Sequence, residues 1–184
     1  MFDNLINLIR ENVGNSSSNN PIPQEKNEQA VQTAGTSIVA TLQNALSGGR
    51  LSDVLGFFKE GGNGASGSHG IVQEATNNYA QNLQTDVGLS EAEAQAAANN
   101  LVPQTMHQLA RKTADPSDNS FNIQDIFNKL SGGKTNGMDL QGMLNKFGGG
   151  KLDKDGDGDV DLQDLKSMFS GGEGMMDKVK GMFS

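Results

Sequence analysis

Six aspartates fall within twelve residues near the end of this 184-residue chain, at positions 153, 155, 157, 159, 161 and 164. One lysine accompanies them, so this short segment carries −5 of the chain's net charge of −8. Carboxylates crowded this closely repel one another and need a counter-ion. Their chemistry restricts which one. The sequence contains no cysteine, which removes thiolate zinc sites, disulfides and cysteine nucleophiles together. Hard oxygens at alternating positions suit calcium, which takes six to eight of them at about 2.3–2.6 Å in flexible geometry. Asp153, Asp155 and Asp157 present carboxylates around the ion, and Gly158 permits the sharp turn after them. Asp159 offers its backbone carbonyl, Asp161 acts directly or through water, and Asp164 closes the site from the first turn of an exiting helix. Val160 points inward and anchors the loop.

Acidic groups at places 1, 3, 5, 9 and 12, glycine at 6 and an apolar residue at 8 match the EF-hand loop. Two features depart from it. Place 12 is Asp164 rather than glutamate, one methylene shorter, and Gly148-Gly149-Gly150 stands where an entering helix belongs. A loop with only its exiting helix resembles the dockerin calcium motif, which also closes on aspartate. Dockerins carry two such loops, whereas the preceding junction here, SGGKTNG (131–137), has no acidic ligand. No cohesin-binding role is carried over. Without an entering helix, calcium is expected to act as a structural staple. A sensor role is the other reading, because Met138, Met143, Met168, Met175, Met176 and Met182 cluster around the loop in sequence.

Other chemistry is sparse. His69 lies in a glycine-rich stretch and His107 on a helical one, each without an acidic or hydroxyl partner at a recognisable spacing. SGGKT (131–135) looks like a phosphate loop, but that pattern needs glycine at 128, where Asn128 stands, and a strand before it. A non-enzymatic protein is expected. Nucleic acid is excluded as a partner, since there is no basic stripe, no tryptophan and a single tyrosine. No apolar run approaches the roughly 18 residues of a membrane span. Met1 leads into FDNLINLIREN, without the basic start or unbroken apolar run of a secretory signal. The cytoplasm is therefore the default expectation, with a periplasmic or envelope location as the alternative.

The elements that must carry the acidic loop are helical throughout, because no alternating run of β-branched residues is long enough for a strand. Phe2, Leu5, Ile6, Ile9 and Val13 share one face of a first helix over 1–14, and 15–23 (NSSSNNPIP) is a linker. That helix can pack on its own domain or on a membrane or partner, though it lacks a membrane binder's basic face. Residues 24–115 form a bundle. Val31, Ala34, Ile38, Leu42, Ala45 and Leu46 line its first helix, and LSDVLGFFKE forms a short one stopped by Gly61-Gly62. A helix over Ile71 to Val87 buries Ala75, Tyr79 and Leu83. Ser90 and Glu93 then form a capping box, and the alanine-rich helix after it should bend or restart near Pro103.

Residues 116–184 repeat themselves. FNIQDIFNKLSGG (121–133), MDLQGMLNKFGGG (138–150) and VDLQDLKSMFSGG (160–172) align without gaps. Each has a polar cap at its second place, glutamine at the fourth, apolar third, sixth and tenth places, and a glycine pair. Units this short cannot bury their faces alone and must stack on one another or on the bundle. The calcium loop (153–164) fills the longer of the two junctions. Leu, Ile, Val and Phe make up only about 22% of the chain, close to the ~20% below which charged chains stay unfolded, so the core is thin.

LSGGRLSDVLGFF (46–58), the turn Val87-Gly88-Leu89-Ser90, and the alanine-rich helix with Leu101-Val102-Pro103 resemble the YidB-like family of small bacterial helical proteins. The resemblance covers about residues 40–133 and implies a bacterial, all-α, non-enzymatic protein without assigned catalytic residues. The function expected is a calcium-binding structural or adaptor protein. The alternative is an accessory or plug-like subunit of a bacterial envelope or secretion complex, in which a protein partner of unknown identity completes the thin core.

Overall fold

The computed structural model describes residues 2–15, 21–59, 70–115, 117–118, 120–133, 135, 140 and 142. Among them are α1 (Phe2–Asn15), a 3-10 turn (Gln24–Lys26), α2 (Asn27–Ser47), α3 (Leu51–Lys59), α4 (Gly70–Thr85), α5 (Glu91–Ala114) and α6 (Ile123–Leu130), with no strand. The architecture is all-α. α2 touches every other helix and packs most heavily on α4 and α1; α4 also packs against α5, and α1 against α5.

Small side chains let these helices approach closely. Ala30, Ala34, Ala45, Ala75, Ala94, Ala97, Ala98 and Ala110 are all buried, so modest apolar content still fills a continuous core. Polar groups set the register within it. Asn78 Nδ2 donates to Thr41 Oγ1 at 2.9 Å, and Asn82 Nδ2 to Ser37 Oγ at 2.9 Å, one helical turn away along both helices. Between α1 and α5, Asn12 Nδ2 donates to buried Thr105 Oγ1 at 3.2 Å while Gln108 Nε2 donates to Asn12 Oδ1 at 2.8 Å. Such pairs offset the desolvation of their own groups and penalise a slipped alignment that would leave them unmatched.

The apolar face of α1 lies in the core, with Leu5, Ile6, Leu8, Ile9 and Val13 buried. Among the described residues only Phe2, at its start, is a large exposed apolar residue, 39% accessible. Gly35 of α2 faces α1 closely, since a Cβ there would sit 2.6 Å from Ile6 Cδ1 and that methyl would have to shift. Ile22, within the segment expected to be linker, is buried as well.

The Ser90–Glu93 capping box forms as the sequence implies: Glu93 N donates to Ser90 Oγ and Ser90 N to the Glu93 carboxylate. Gly88 before it adopts φ +70°, a conformation open to glycine, and Leu89 N reaches back to Leu83 O at 3.1 Å to close α4. The helix does not restart at Pro103, and α5 is continuous from Glu91 to Ala114. Proline removes one backbone bond, to the carbonyl of Asn99. That residue is exposed, so the loss falls on the wet side while Leu101, Val102 and Met106 hold the other side in the core.

Candidate metal centre

Asp153, Asp155, Asp157, Asp159, Asp161 and Asp164, with the whole of the third repeat unit, lie outside the described residues. Of the second unit, Leu140 and Gly142 are described. The first unit is described whole, and it shows how the shared plan of the three folds and which surface supports it.

Asn122, the polar second place, is the N-cap of α6: its φ/ψ is extended and its Oδ1 accepts from Gln124 N at 2.8 Å. Asp161 holds this place in the third unit. The apolar places Ile123, Ile126 and Leu130 are buried, as is Phe127 beside them. Phe127 lies 5.9 Å from the ring of Phe58 on α3, which meets Phe57 edge-on at 5.1 Å. Phe127, at a place the three units do not share, thus docks the unit on the bundle, while Ile126 and Leu130 lie against Leu5, Leu42 and Leu109. Gly132 and Gly133 end it with φ of +64° and +87°. That conformation brings Gly133 N to Asn128 O at 2.7 Å and turns the chain back on itself.

The fourth-place glutamine faces this returning chain. Gln124 Nε2 donates to Thr135 O at 3.0 Å, and Gln124 Oε1 accepts from Leu140 N at 3.3 Å. Thr135 and Leu140 are fully buried. Thr135 is held further by Ser131 Oγ, which accepts from Thr135 N at 3.2 Å. Leu140 is the third place of the second unit, so one side chain of the first unit grips the backbone on which the second begins.

A shift of 39 residues, which sets Phe121 on Val160, also aligns the segment before α6 with the calcium loop. Asp118, Asn122 and Asp125 then fall on Asp157, Asp161 and Asp164, while Ala114 and Pro116 replace Asp153 and Asp155. Comparison with the junction at 131–137 alone misses this correspondence; carrying the repeat offset back through residue 114 reveals it. Its carboxylates have other partners. Asp115 Oδ1 accepts from Ser117 N at 2.9 Å and from its hydroxyl at 2.6 Å. Asp118 Oδ1 accepts from Ser120 N at 2.8 Å, and its Oδ2 pairs with Lys112 Nζ at 3.0 Å. Hydrogen bonds from Ser120, with Lys112 second, hold the Asp118 carboxyl down to about 2. Here the acidic residue is answered by an ammonium from α5. No group of three or more histidine, aspartate or glutamate side chains among the described residues is placed to hold a metal.

His107 is half-buried on α5, and His69 lies outside the described residues. Tyr79 is fully buried, its phenol oxygen has no hydrogen-bonding partner among the described residues, and burial pushes the phenol well above its ordinary range. Clefts open between the described helices. One of about 210 Å³ lies between α4 and α5 and is lined by Gln73, Thr76, Asn77, Asn99 and Pro103, none of them charged. Another, about 200 Å³, lies beside α1 and includes Asn4, Glu11, Lys112 and Ser120. No helix among the described residues is long and apolar enough to cross a membrane. No family model matches the chain, and no curated protein and no solved structure is significantly similar to it.

Proposed function

We propose that this chain is a non-enzymatic, calcium-binding structural or adaptor protein, built as a YidB-like helical bundle followed by three glycine-terminated short helices. Calcium, held by Asp153, Asp155, Asp157, Asp161, Asp164 and the Asp159 carbonyl, staples the third helix to the second. The observation that carries this reading is the loop's spacing: carboxylates at alternating places, glycine at the sixth, valine at the eighth, and a closing aspartate. The donor set fits the ion, being all oxygen and strongly anionic, which favours a hard divalent cation over zinc or copper. The first unit supports it too, since the same sequence plan there gives a capped helix with its apolar third, sixth and tenth places buried. The apolar face of α1, which would have been the natural anchor for an envelope partner, is already buried in the core.

Binding releases the loop's self-repulsion and fixes the start of the exiting helix at Leu162, so calcium adds its binding free energy to the folded state. Calorimetry and thermal melting with calcium or chelator test this directly. The expected result is one bound ion, a higher melting temperature with calcium, and affinity cut at least tenfold by Asp153→Ala or Asp164→Ala. Hydrogen exchange should gain protection within about 138–172 and stay unchanged over 24–115. Equal melting temperatures with no binding heat would overturn the reading; deprotection spreading into the bundle would make the protein a switch.

A further inference from the structure

We propose that the cleft between α4 and α5 is a binding site for a neutral sugar, one pyranose ring in size, and that Pro103 takes part in its recognition. Gln73 and Asn77, one turn apart on α4, line it together with Asn99 and Pro103, one turn apart on α5, and with the buried Thr76. The surroundings carry no charge. No Asp, Glu, Lys or Arg occurs over 75–85 or 94–110, in a chain that is 20% charged, and the adjoining Glu74 is already paired with Arg50 at 2.8 Å. A phosphate or carboxylate would need an ammonium or guanidinium here, and an amine would need a carboxylate. An apolar ligand would need an apolar wall. An uncharged ligand rich in both donors and acceptors is what this lining matches.

The groups that would hold it have capacity to spare. Among the described residues the Gln73 and Asn77 amides make no hydrogen bond, and Asn99 uses only its Oδ1, which accepts from Gln95 Nε2 at 3.4 Å. Each amide sets a donor beside an acceptor, as two adjacent sugar hydroxyls do. The Thr76 hydroxyl donates to Val72 O at 2.7 Å and keeps its accepting side. Pro103 contributes twice. Its half-buried ring is an apolar surface for the C–H face of a pyranose, and its missing N–H leaves the Asn99 carbonyl without a helical donor. A peptide is the competing neutral ligand. Peptides are captured by a free sheet edge, an apolar groove, an aromatic groove or an arginine cluster, and the lining residues supply none of these. At about 210 Å³ the cleft is also smaller than the roughly 300–1,000 Å³ of sites for larger ligands, which suits one ring better than a chain. This inference does not depend on calcium.

The test is NMR of the side-chain amides of the full chain, titrated with the methyl glycosides of glucose, galactose and N-acetylglucosamine. Glucuronate, glucosamine and N-acetyl-trialanine amide are titrated in parallel. The expected result is saturable shifts of the Gln73, Asn77 and Asn99 amides with at least one glycoside, at a dissociation constant on the order of millimolar. The charged sugars should bind about tenfold more weakly, since their charge finds no partner in the cleft. Gln73→Ala and Asn77→Ala, at exposed helical positions where alanine is well tolerated, should each lower affinity about fivefold. Pro103→Ala restores the bond to the Asn99 carbonyl, so it should raise the melting temperature yet weaken binding about threefold, a pairing that a proline serving structure alone would not give. No shift with any of the glycosides, equal binding of the charged sugars, or affinity unchanged in the three variants overturns the proposal. Stronger shifts of the same amides with the peptide overturn it too, and make the cleft a peptide site.

Discussion

Among the described residues the buried phenol of Tyr79 has no hydrogen-bonding partner, a cost the fold carries. Helical spacing alone marks Tyr79 as buried, alongside Ala75 and Leu83 on one face of α4. That its oxygen meets no acceptor depends on which groups lie across from it, and spacing on one helix does not encode that. An unsatisfied buried hydroxyl costs about 1–3 kcal/mol, so Tyr79→Phe should raise unfolding free energy by about 1 kcal/mol, read by urea denaturation. Asp118 gives the opposite case, a carboxylate better satisfied folded than unfolded. Its ordinary value of 3.8 falls to about 2 in the fold. The stabilisation is therefore fully present above about pH 4 and is lost as pH falls through 2. An NMR titration of the Asp118 carboxyl should show this, with Lys112→Met raising the midpoint but leaving it below 3.8, because Ser120 contributes first.

Elements were the most legible level, and the exceptions among them have physical causes. Glycine stops, the Ser90–Glu93 box and the buried stripes of α2, α4 and α5 can all be read from residue types at fixed offsets. Pro103 reads as a bend or a restart, and the helix does not restart there, since a single lost bond on the exposed side is outweighed by the apolar side chains that flank it. The repeat is visible as a pattern, but the use of its glutamine is not, because Gln124 acts on Thr135 and Leu140, backbone groups that any sequence would supply. The loop at 153–164 is the most explicit segment of the sequence, and its aspartates lie outside the described residues. At this scale the cap of α6 is the sensitive point. An eight-residue helix is too short to persist without help, so Asn122→Ala should cost about 1 kcal/mol. Helical content and Phe127 side-chain NMR signals, tracked through a thermal melt, will report whether α6 then leaves the bundle before the rest unfolds.

On the scale of the whole molecule, attachment of α1 decides whether the bundle is closed. Gly35 of α2 faces α1, and a Cβ there meets Ile6 Cδ1 at 2.6 Å and Phe2 Cε2 at 3.4 Å. Alanine offers a gain in helix propensity against a shift of one flexible methyl; valine adds bulk that Ile6 has no room to avoid. Gly35→Val should cost about 1–3 kcal/mol. Limited proteolysis should then cut within the first twenty residues while α4 and α5 remain protected, and equal resistance of variant and parent would show that the crossing has slack.

The same helix has a consequence for the order in which the chain is made. Leu5, Ile6 and Ile9 leave the ribosome well before the surface that receives them, which is not complete until α5 and the turn after it have emerged, with Thr105 meeting Asn12 and the Ser120 carbonyl meeting Asn4 Nδ2 at 2.8 Å. For the time that separates residue 12 from residue 120, an apolar face must wait beside α2 alone. At roughly 5–20 residues per second, that is an interval of several seconds or more. During synthesis, then, the first helix is a sticky end that binding factors at the tunnel exit can hold, and arrest of translation before α5 emerges is the condition under which this protein is most exposed to aggregation.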